Sequence, residues 1–222
     1  MSESVKIYKV GGCVRDYILG QTPNDIDYSV INCRNFQHMK EVITSKGCKI
    51  YLEKKDHGVI RANYKGEPVD FSLAKTFGSG ASGIDDDLSW RDFTVNAMAM
   101  DESGNIIDPH GGEKDTRDKI LRCVQSSEVC FSSDPCRMLR ALRFHIVKGF
   151  TLSLELETAL KIEKYHTLLR KVSHERKREE LNKMFKHDTV ATLKAISSLP
   201  DTFAHAVFSD ELWLKATSEK RK

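Results

Sequence analysis

Apolar positions change their period along the chain. Over residues 5–73 they mostly recur at every second position, which predicts strands, and beyond residue 112 they recur at helical spacing. Val5-Lys6-Ile7-Tyr8-Lys9-Val10 reads as a strand that Gly11-Gly12 breaks, and Cys13–Leu19 follows as a short helix with Val14, Ile18 and Leu19 on one side. Gly20–Asn24 is a loop. Asp25–Val30 predicts a second strand, whose alternation puts Asp25 and Asp27 on one face and Ile26 on the other. Asn35–Lys46 reads as a helix through Phe36, Met39, Val42 and Ile43, and Gly47 ends it. Cys48–Leu52, His57–Tyr64 and Pro68–Leu73 predict three more strands, the last two joined by a Tyr64-Lys65-Gly66-Glu67 hairpin turn.

Thr76–Gly83 reads as a Gly/Ser loop. Asp85, Asp86 and Asp87 suit a helix N-terminus, where they meet the positive end of the dipole, and that is their expected whole role. Gly104–Gly112 reads as a short strand and turn, in which Gly111-Gly112 fits either a hinge or a plain turn. Helices are expected over Glu113–Cys123, over a segment capped by Ser133 or Asp134 and ended by Gly149, and over Ser153–Lys171 with Leu154, Leu156, Leu160, Ile162 and Leu168 as core. A further helix starts at the N-cap Ser173 and a short one spans Asp188–Ser198. The tail, with Leu212-Trp213-Leu214, is expected to pack on these helices before a frayed charged end. The pattern predicts an α+β protein: a head of residues 1–112, a small mixed sheet with helices, and an all-α neck of residues 113–222.

Composition narrows this only a little. The chain of 222 residues is 40% apolar and 30% charged, ordinary for a protein with its own core. The net charge of +3 does not demand a nucleic-acid partner, but residues 161–186 hold nine Lys/Arg against four Asp/Glu, a local excess of +5. Six scattered cysteines form no C-x-x-C and no zinc spacing, so free thiols in a reducing cytosol are expected. The N-terminus enters a strand without a signal-peptide pattern, and no apolar run reaches membrane-spanning length; a cytoplasmic protein without membrane contact is expected.

The chemistry concentrates near the start. Gly11 and Gly12 let backbone N–H groups approach an anion at a helix start, and Arg15 adds a full positive charge. Asp25 and Asp27 on one strand face beside that turn suggest divalent metal ions holding a nucleoside triphosphate, since Mg2+ takes one or two carboxylates plus phosphate oxygens.

G-G-x-V-R-D followed by D-x-D resembles the first motif of the class II tRNA nucleotidyltransferase and bacterial poly(A) polymerase family, in the polymerase-β-like superfamily. The resemblance runs from about Val5 to Phe185. R-D-F-T-V-N-A-M-A at Arg91–Ala99, D-P-x-G-G-x-x-D from Asp108, Asp134-Pro135-Cys136-Arg137 and Glu175-Arg176 with Glu180-Leu181 follow in the family's order. It implies a polymerase-β-like nucleotidyltransferase head and transfer of a nucleoside monophosphate from NTP to an RNA 3′ end, with release of pyrophosphate. By resemblance, Arg91 and Asp92 contact the sugar and phosphates of the NTP. Asp70 is a third carboxylate, as general base or metal support, or else a solvent-face aspartate. Asp134 and Arg137 read the base: a carboxylate accepts from the amino group of C or A while a guanidinium donates to the adjacent ring nitrogen. Arg140 and Arg143 remain for phosphates or for holding Asp134, and Glu175 or Arg176 support the site. Trp90 and Ser133 stand where the family usually has Arg and Glu.

The resemblance implies addition of C and/or A to tRNA 3′ ends, CCA addition or repair, from CTP and ATP with Mg2+. Adenylation of RNA at large and a non-catalytic NTP- or RNA-binding module are the alternatives. Family members usually continue into body and tail domains that grip tRNA. A head and neck alone leave room for a partner subunit or a dimer.

Overall fold

The computed structural model describes residues 4–74 and 83–208, and the chain divides after Asp118 into two compact units. Most of the expected Gly/Ser loop and the whole Leu212-Trp213-Leu214 segment lie outside the described residues.

The first unit is built on a sheet of β1 (Lys6–Val10), β2 (Ile26–Ile31), β3 (Lys49–Lys54), β4 (Val59–Tyr64), β5 (Glu67–Leu73), β6 (Ala99–Met100) and β7 (Ile106–Ile107), in the order β3-β4-β5-β2-β1-β6-β7. β2 and β5 run parallel and every other pair is antiparallel. The β4–β5 hairpin turns as expected, with Lys65 at φ 54° and Gly66 at φ 91°. α1 (Gly12–Ile18), α2 (Phe36–Ser45), α3 (Ile84–Ser89) and α4 (Gly112–Arg117) complete the unit. Asn35 caps α2 by accepting from the His38 N–H at 2.9 Å. Met39 and Ile43 of α2 are buried in one cluster with Val30, Ile60, Ala62, Val69 and Phe71, all on one face of the sheet.

One expectation changes here and an open one is decided. The helix expected over Glu113–Cys123 stops at Arg117: Lys119 takes φ 57°, and Ile120–Leu121 instead forms a strand, β8. Gly111–Gly112, expected as a hinge or a plain turn, forms a hydrogen-bonded turn. Gly111 sits at φ 74°, and the Asp108 carboxylate accepts from the Gly112 and Glu113 N–H groups at 2.7 and 2.9 Å. A Cβ on Gly112 would lie 2.1 Å from the Thr94 carbonyl oxygen, and the Thr94 hydroxyl donates to buried Asp115 at 2.7 Å.

The second unit is helical apart from β8, which pairs in parallel with β9 (Thr151–Leu152). Its helices are α5 (Ser127–Ser133), α6 (Arg137–Lys148), α7 (Leu154–Leu160), α8 (Glu163–Arg170), α9 (His174–His187), α10 (Thr189–Ser197) and α11 (Asp201–Phe208). α6 packs on α9 and α8 on α11, around Phe131, Met138, Leu139, Leu160, Leu169, Leu181 and Phe203. Ser173 caps α9 and Asp188 caps α10, close to where their sequence signals lie. The single helix expected over Ser153–Lys171 is two, broken at Lys161–Ile162. Beyond the break buried His166 points its Nε2 at the Leu160 carbonyl, 2.9 Å away; that oxygen only accepts, so Nε2 carries a proton. Within α7 Leu154 points away from buried Leu156, two residues on, and is 81% exposed, while past the break Leu169 is core in place of Leu168. α5 and α11 have no counterpart in the sequence pattern. Buried Lys177 ties α9 to α11 by donating to the Ala206 carbonyl at 2.8 Å.

Gly112→Ala forces the Thr94 backbone away and is expected to destabilise the protein by about 3 kcal/mol or more. A lowered midpoint in chemical denaturation checks this, and an unchanged midpoint would mean the turn has slack.

Candidate active site

Register decides which side chains meet in the first unit. Asp27 of β2 is the partner of Val10 on β1 and of Asp70 on β5, and Asp70 is the partner of Arg61 on β4. Cross-strand partners share a face, so Asp27, Asp70 and Arg61 form one row on the face away from the α2 cluster. Asp25 lies just before β2. Arg61 Nε donates to Asp70 Oδ2 at 3.1 Å. Partial desolvation, then the nearby Asp70 charge, push the Asp27 carboxyl above its ordinary value; Arg91 and Arg61 pull the other way and Asp25 adds to the rise. Asp70 is therefore near enough to Asp27 to be felt as a charge, with a cation of its own in Arg61. Among the described residues no three His, Cys, Asp or Glu side chains converge as a ready-made metal cage. An oxygen-only set of one or two carboxylates suits Mg2+, whose remaining positions go to water and phosphate.

Gly11 of the first motif meets the second motif. Gly11, at φ 75°, has its missing Cβ position 3.1 Å from Arg91 Nη1. Arg91 Nη2 donates to Asp87 Oδ2 at 3.0 Å, so Asp87 does more than face the helix dipole. Arg91 Nε is buried without a hydrogen-bond partner among the described residues. Arg15 differs from the expectation of an open phosphate-binding cation. It is 6% exposed; its Nε and Nη2 donate to Asp16 Oδ1 at 3.0 and 2.8 Å and its Nη1 to Asn96 Oδ1 at 2.6 Å. Asn96 Nδ2 in turn donates to Asp92 Oδ1, which also accepts from the Phe93 N–H. Asp16, Arg15, Asn96 and Asp92, all at most 8% exposed, thus form a buried polar chain behind the Gly11–Arg91 corner. Gly12 packs on the Arg15 guanidinium. Sequence reading gave Asp16 and Asn96 no role of their own, although Asp16 closes G-G-x-V-R-D and Asn96 lies within R-D-F-T-V-N-A-M-A.

In the second unit, Asp134 and Arg137 lie where α5 passes into α6. Ser133 closes α5 and does not cap α6; instead its hydroxyl accepts from Arg137 Nη1 at 3.1 Å. Asp134 Oδ1 accepts from the Cys136 N–H and Oδ2 from Arg176 Nη2 at 2.6 Å, so Arg176 of α9 orients this carboxylate. Arg140 and Arg143 both meet Glu180, which is 5% exposed: Arg143 Nε is 2.5 Å from Oε2 and Arg140 Nη1 3.6 Å from Oε1. Glu180 was missed as a site residue, although Arg176 and Glu180 stand four apart and so share a helix face.

A family model described as the poly A polymerase head domain matches residues 7–122, and one described as the probable RNA and SrmB-binding site of polymerase A matches residues 150–197. The CCA-adding enzyme of Bacillus subtilis is 39% identical over 183 residues, covering 80% of this chain and 45% of its own length. The CC-adding tRNA nucleotidyltransferase of Shouchella clausii is 36% identical over 179 residues, 81% of this chain and 44% of its own. Among solved structures, the Bacillus stearothermophilus CCA-adding enzyme in complex with CTP superposes with TM-score 0.78 at 32% identity, over 88% of this chain and 48% of that one. A tRNA nucleotidyltransferase complexed with a primer tRNA and an incoming ATP analog gives TM-score 0.76 at 28% identity, over 94% and 61%. The chain spans about half the length of the curated relatives it matches. With the head model matching over half of its residues and the helical unit matching in turn, the chain belongs to the family of the class II tRNA nucleotidyltransferases and bacterial poly(A) polymerases.

Proposed function

We propose that this chain is a template-independent RNA nucleotidyltransferase that adds C and/or A to tRNA 3′ ends from CTP and ATP with Mg2+, releasing pyrophosphate. The observation that carries this reading is the cross-strand row Asp27–Asp70–Arg61, with Arg91 set over Gly11. Proteins similar over about 80% of this chain carry the names of CCA- and CC-adding enzymes, which favours tRNA over RNA at large.

Asp25 and Asp27 would hold Mg2+ in this reading, and the ion would supply neutralising charge for the triphosphate and acidify the attacking hydroxyl. Arg91 donates to phosphate oxygens through the Nε–H that lacks a partner among the described residues, and the Gly11 and Gly12 backbone allows a phosphate close approach. Asp70, steadied by Arg61, accepts the proton of the RNA 3′-hydroxyl. The 3′-oxygen forms its bond to the α-phosphorus as the bond to the bridging oxygen breaks, and pyrophosphate leaves. Arg15 and Asp92 act as positioning residues, holding the second motif through Asn96. Asp134 and Arg137 select C and A by accepting from the exocyclic amine and donating to the ring nitrogen. Arg176 and Ser133 fix these two side chains, and Arg140 and Arg143 stay with Glu180.

Asp27→Asn is expected to lower single-nucleotide extension of a tRNA lacking its CCA end by at least about a hundredfold, with an unchanged circular dichroism spectrum. Retained activity would remove Asp27 from the metal site. Long A tracts on unstructured RNA in the same assay would instead indicate a poly(A) polymerase, and NTP binding without extension a binding module. Asp134→Ala is expected to narrow the preference for CTP and ATP over UTP and GTP by about tenfold, with Arg176→Ala moving it the same way by less. Unchanged base choice in Asp134→Ala would take the residue out of base reading.

A further inference from the structure

The sheet of the first unit has a second chemically distinct row, one residue out of phase with the first. Met100, Lys9, Tyr28, Phe71 and Ile60 are successive cross-strand partners from β6 to β4. By the period of two this row faces opposite to Asp27 and Asp70. α2 covers only part of that face. Beside it a groove of about 690 Å³ opens over Lys9, Tyr28, Phe71 and Tyr64, bordered by Tyr17 of α1 and by Lys46 just past α2.

The rings in this groove are ordered. Tyr28 stacks on Phe71 with centroids 5.0 Å apart at 16°, and Tyr64 meets Tyr28 edge-on at 6.5 Å. Lys65 Nζ stands 5.1 Å from the centre of the Tyr64 ring, and Tyr17 is 60% exposed. The charges are unequal. Glu102 pairs with Lys46 at 3.3 Å, and the Asp101 carboxylate is taken up by the Ser103 and Asn105 N–H groups and the Asn105 amide. Among the described residues Lys9 and Lys65 have no carboxylate partner. Aromatic faces beside lysines without acidic partners suit bases that stack and phosphates that need cations.

We propose that this groove, on the sheet face opposite the aspartate row, is a separate binding site for single-stranded RNA. Bases stack against the Tyr28–Tyr64–Tyr17 surface and phosphates meet Lys9 and Lys65. The groove's rings and lysines are spread over β1, β2, β4 and the β4–β5 turn, which favours a strand over a free nucleotide. The choice of RNA rests on the proposed action at RNA 3′ ends; the stacking site itself does not.

The test is binding of a fluorescent single-stranded oligoribonucleotide of about ten nucleotides to the full chain without Mg2+, over a series of salt concentrations. The variant Tyr17→Ala with Lys65→Glu changes two surface side chains and is expected to bind about tenfold more weakly and to lose about 0.7 from the salt slope, the share of one phosphate on a single strand. In parallel, photocrosslinking of the unaltered chain is expected to label Tyr28, Tyr64 or Tyr17. No binding by the unaltered chain, equal affinity of the variant, or labels confined to the aspartate face would each overturn the proposal. Displacement by CTP or ATP at the oligonucleotide's own affinity would overturn it in favour of a mononucleotide site. Extension assays on the same samples separate the two readings: binding without extension sinks the enzyme and leaves the groove, and extension with unaltered binding by the variant does the reverse.

Discussion

The parallel pairing of β2 with β5 is the constraint on which the first unit depends. Side chains alternate across a strand, so the register that sets Asp27 beside Asp70 also sets Tyr28 beside Phe71 on the other face. A slip of one residue would drive Asp27 under α2 and expose Val30, now fully buried. Burying a charge among Met39, Ile43 and Val69 would cost several kcal/mol. The apolar cluster under α2 therefore does more than stabilise the fold: it fixes which residues stand in the acidic row. Asp27 stays exposed in this register, yet partial desolvation and the Asp70 charge both raise its carboxyl above the ordinary value.

Buried polar groups hold the second motif against that row. Arg15, Asp16, Asn96 and Asp92 are withdrawn from water, and each charge has a partner of opposite sign or a hydrogen bond. Such a chain is stable only when every member is present, because one missing partner leaves a desolvated charge. The Gly112–Thr94 contact closes the other side of the same turn. Arg91, at the edge of this framework, keeps one buried N–H unpartnered among the described residues.

The second unit manages its charges in the same way. Three arginines at a spacing of three along α6 would repel one another on a bare surface. Glu180 meets two of them from α9, and Ser133 takes a donor of the third. Ser133 cannot supply the charge of a glutamate, but its hydroxyl holds Arg137 at hydrogen-bond distance. Asp134 is in turn set by Arg176. The proposed base reader is thus two side chains, each fixed by a neighbour that touches no base.

By itself the sequence determined the strands from Lys6 to Leu73, the cap at Ser173, the helix starts at Asn35 and Asp188, the hairpin at Lys65-Gly66, and the α+β class. Each follows from local periodicity or from one residue's conformational preference. It also marked Gly11, Asp25, Asp27, Arg91, Asp134 and Arg137 through motif order. Only the tertiary structure decided that Asp70 stands beside Asp27 and is held by Arg61, that Arg15 and Asp92 are interior, that Gly112 lies in close contact with the Thr94 backbone, that Arg176 orients Asp134, and that Glu180 holds Arg140 and Arg143. Local pattern also missed the break at Lys161–Ile162, where buried His166 meets the carbonyl at the end of α7. The physical reason is common to all of these. Periodicity tells which face of an element a residue occupies, whereas ionic partners and close backbone approaches depend on residues tens of positions away, brought alongside by sheet register and helix packing.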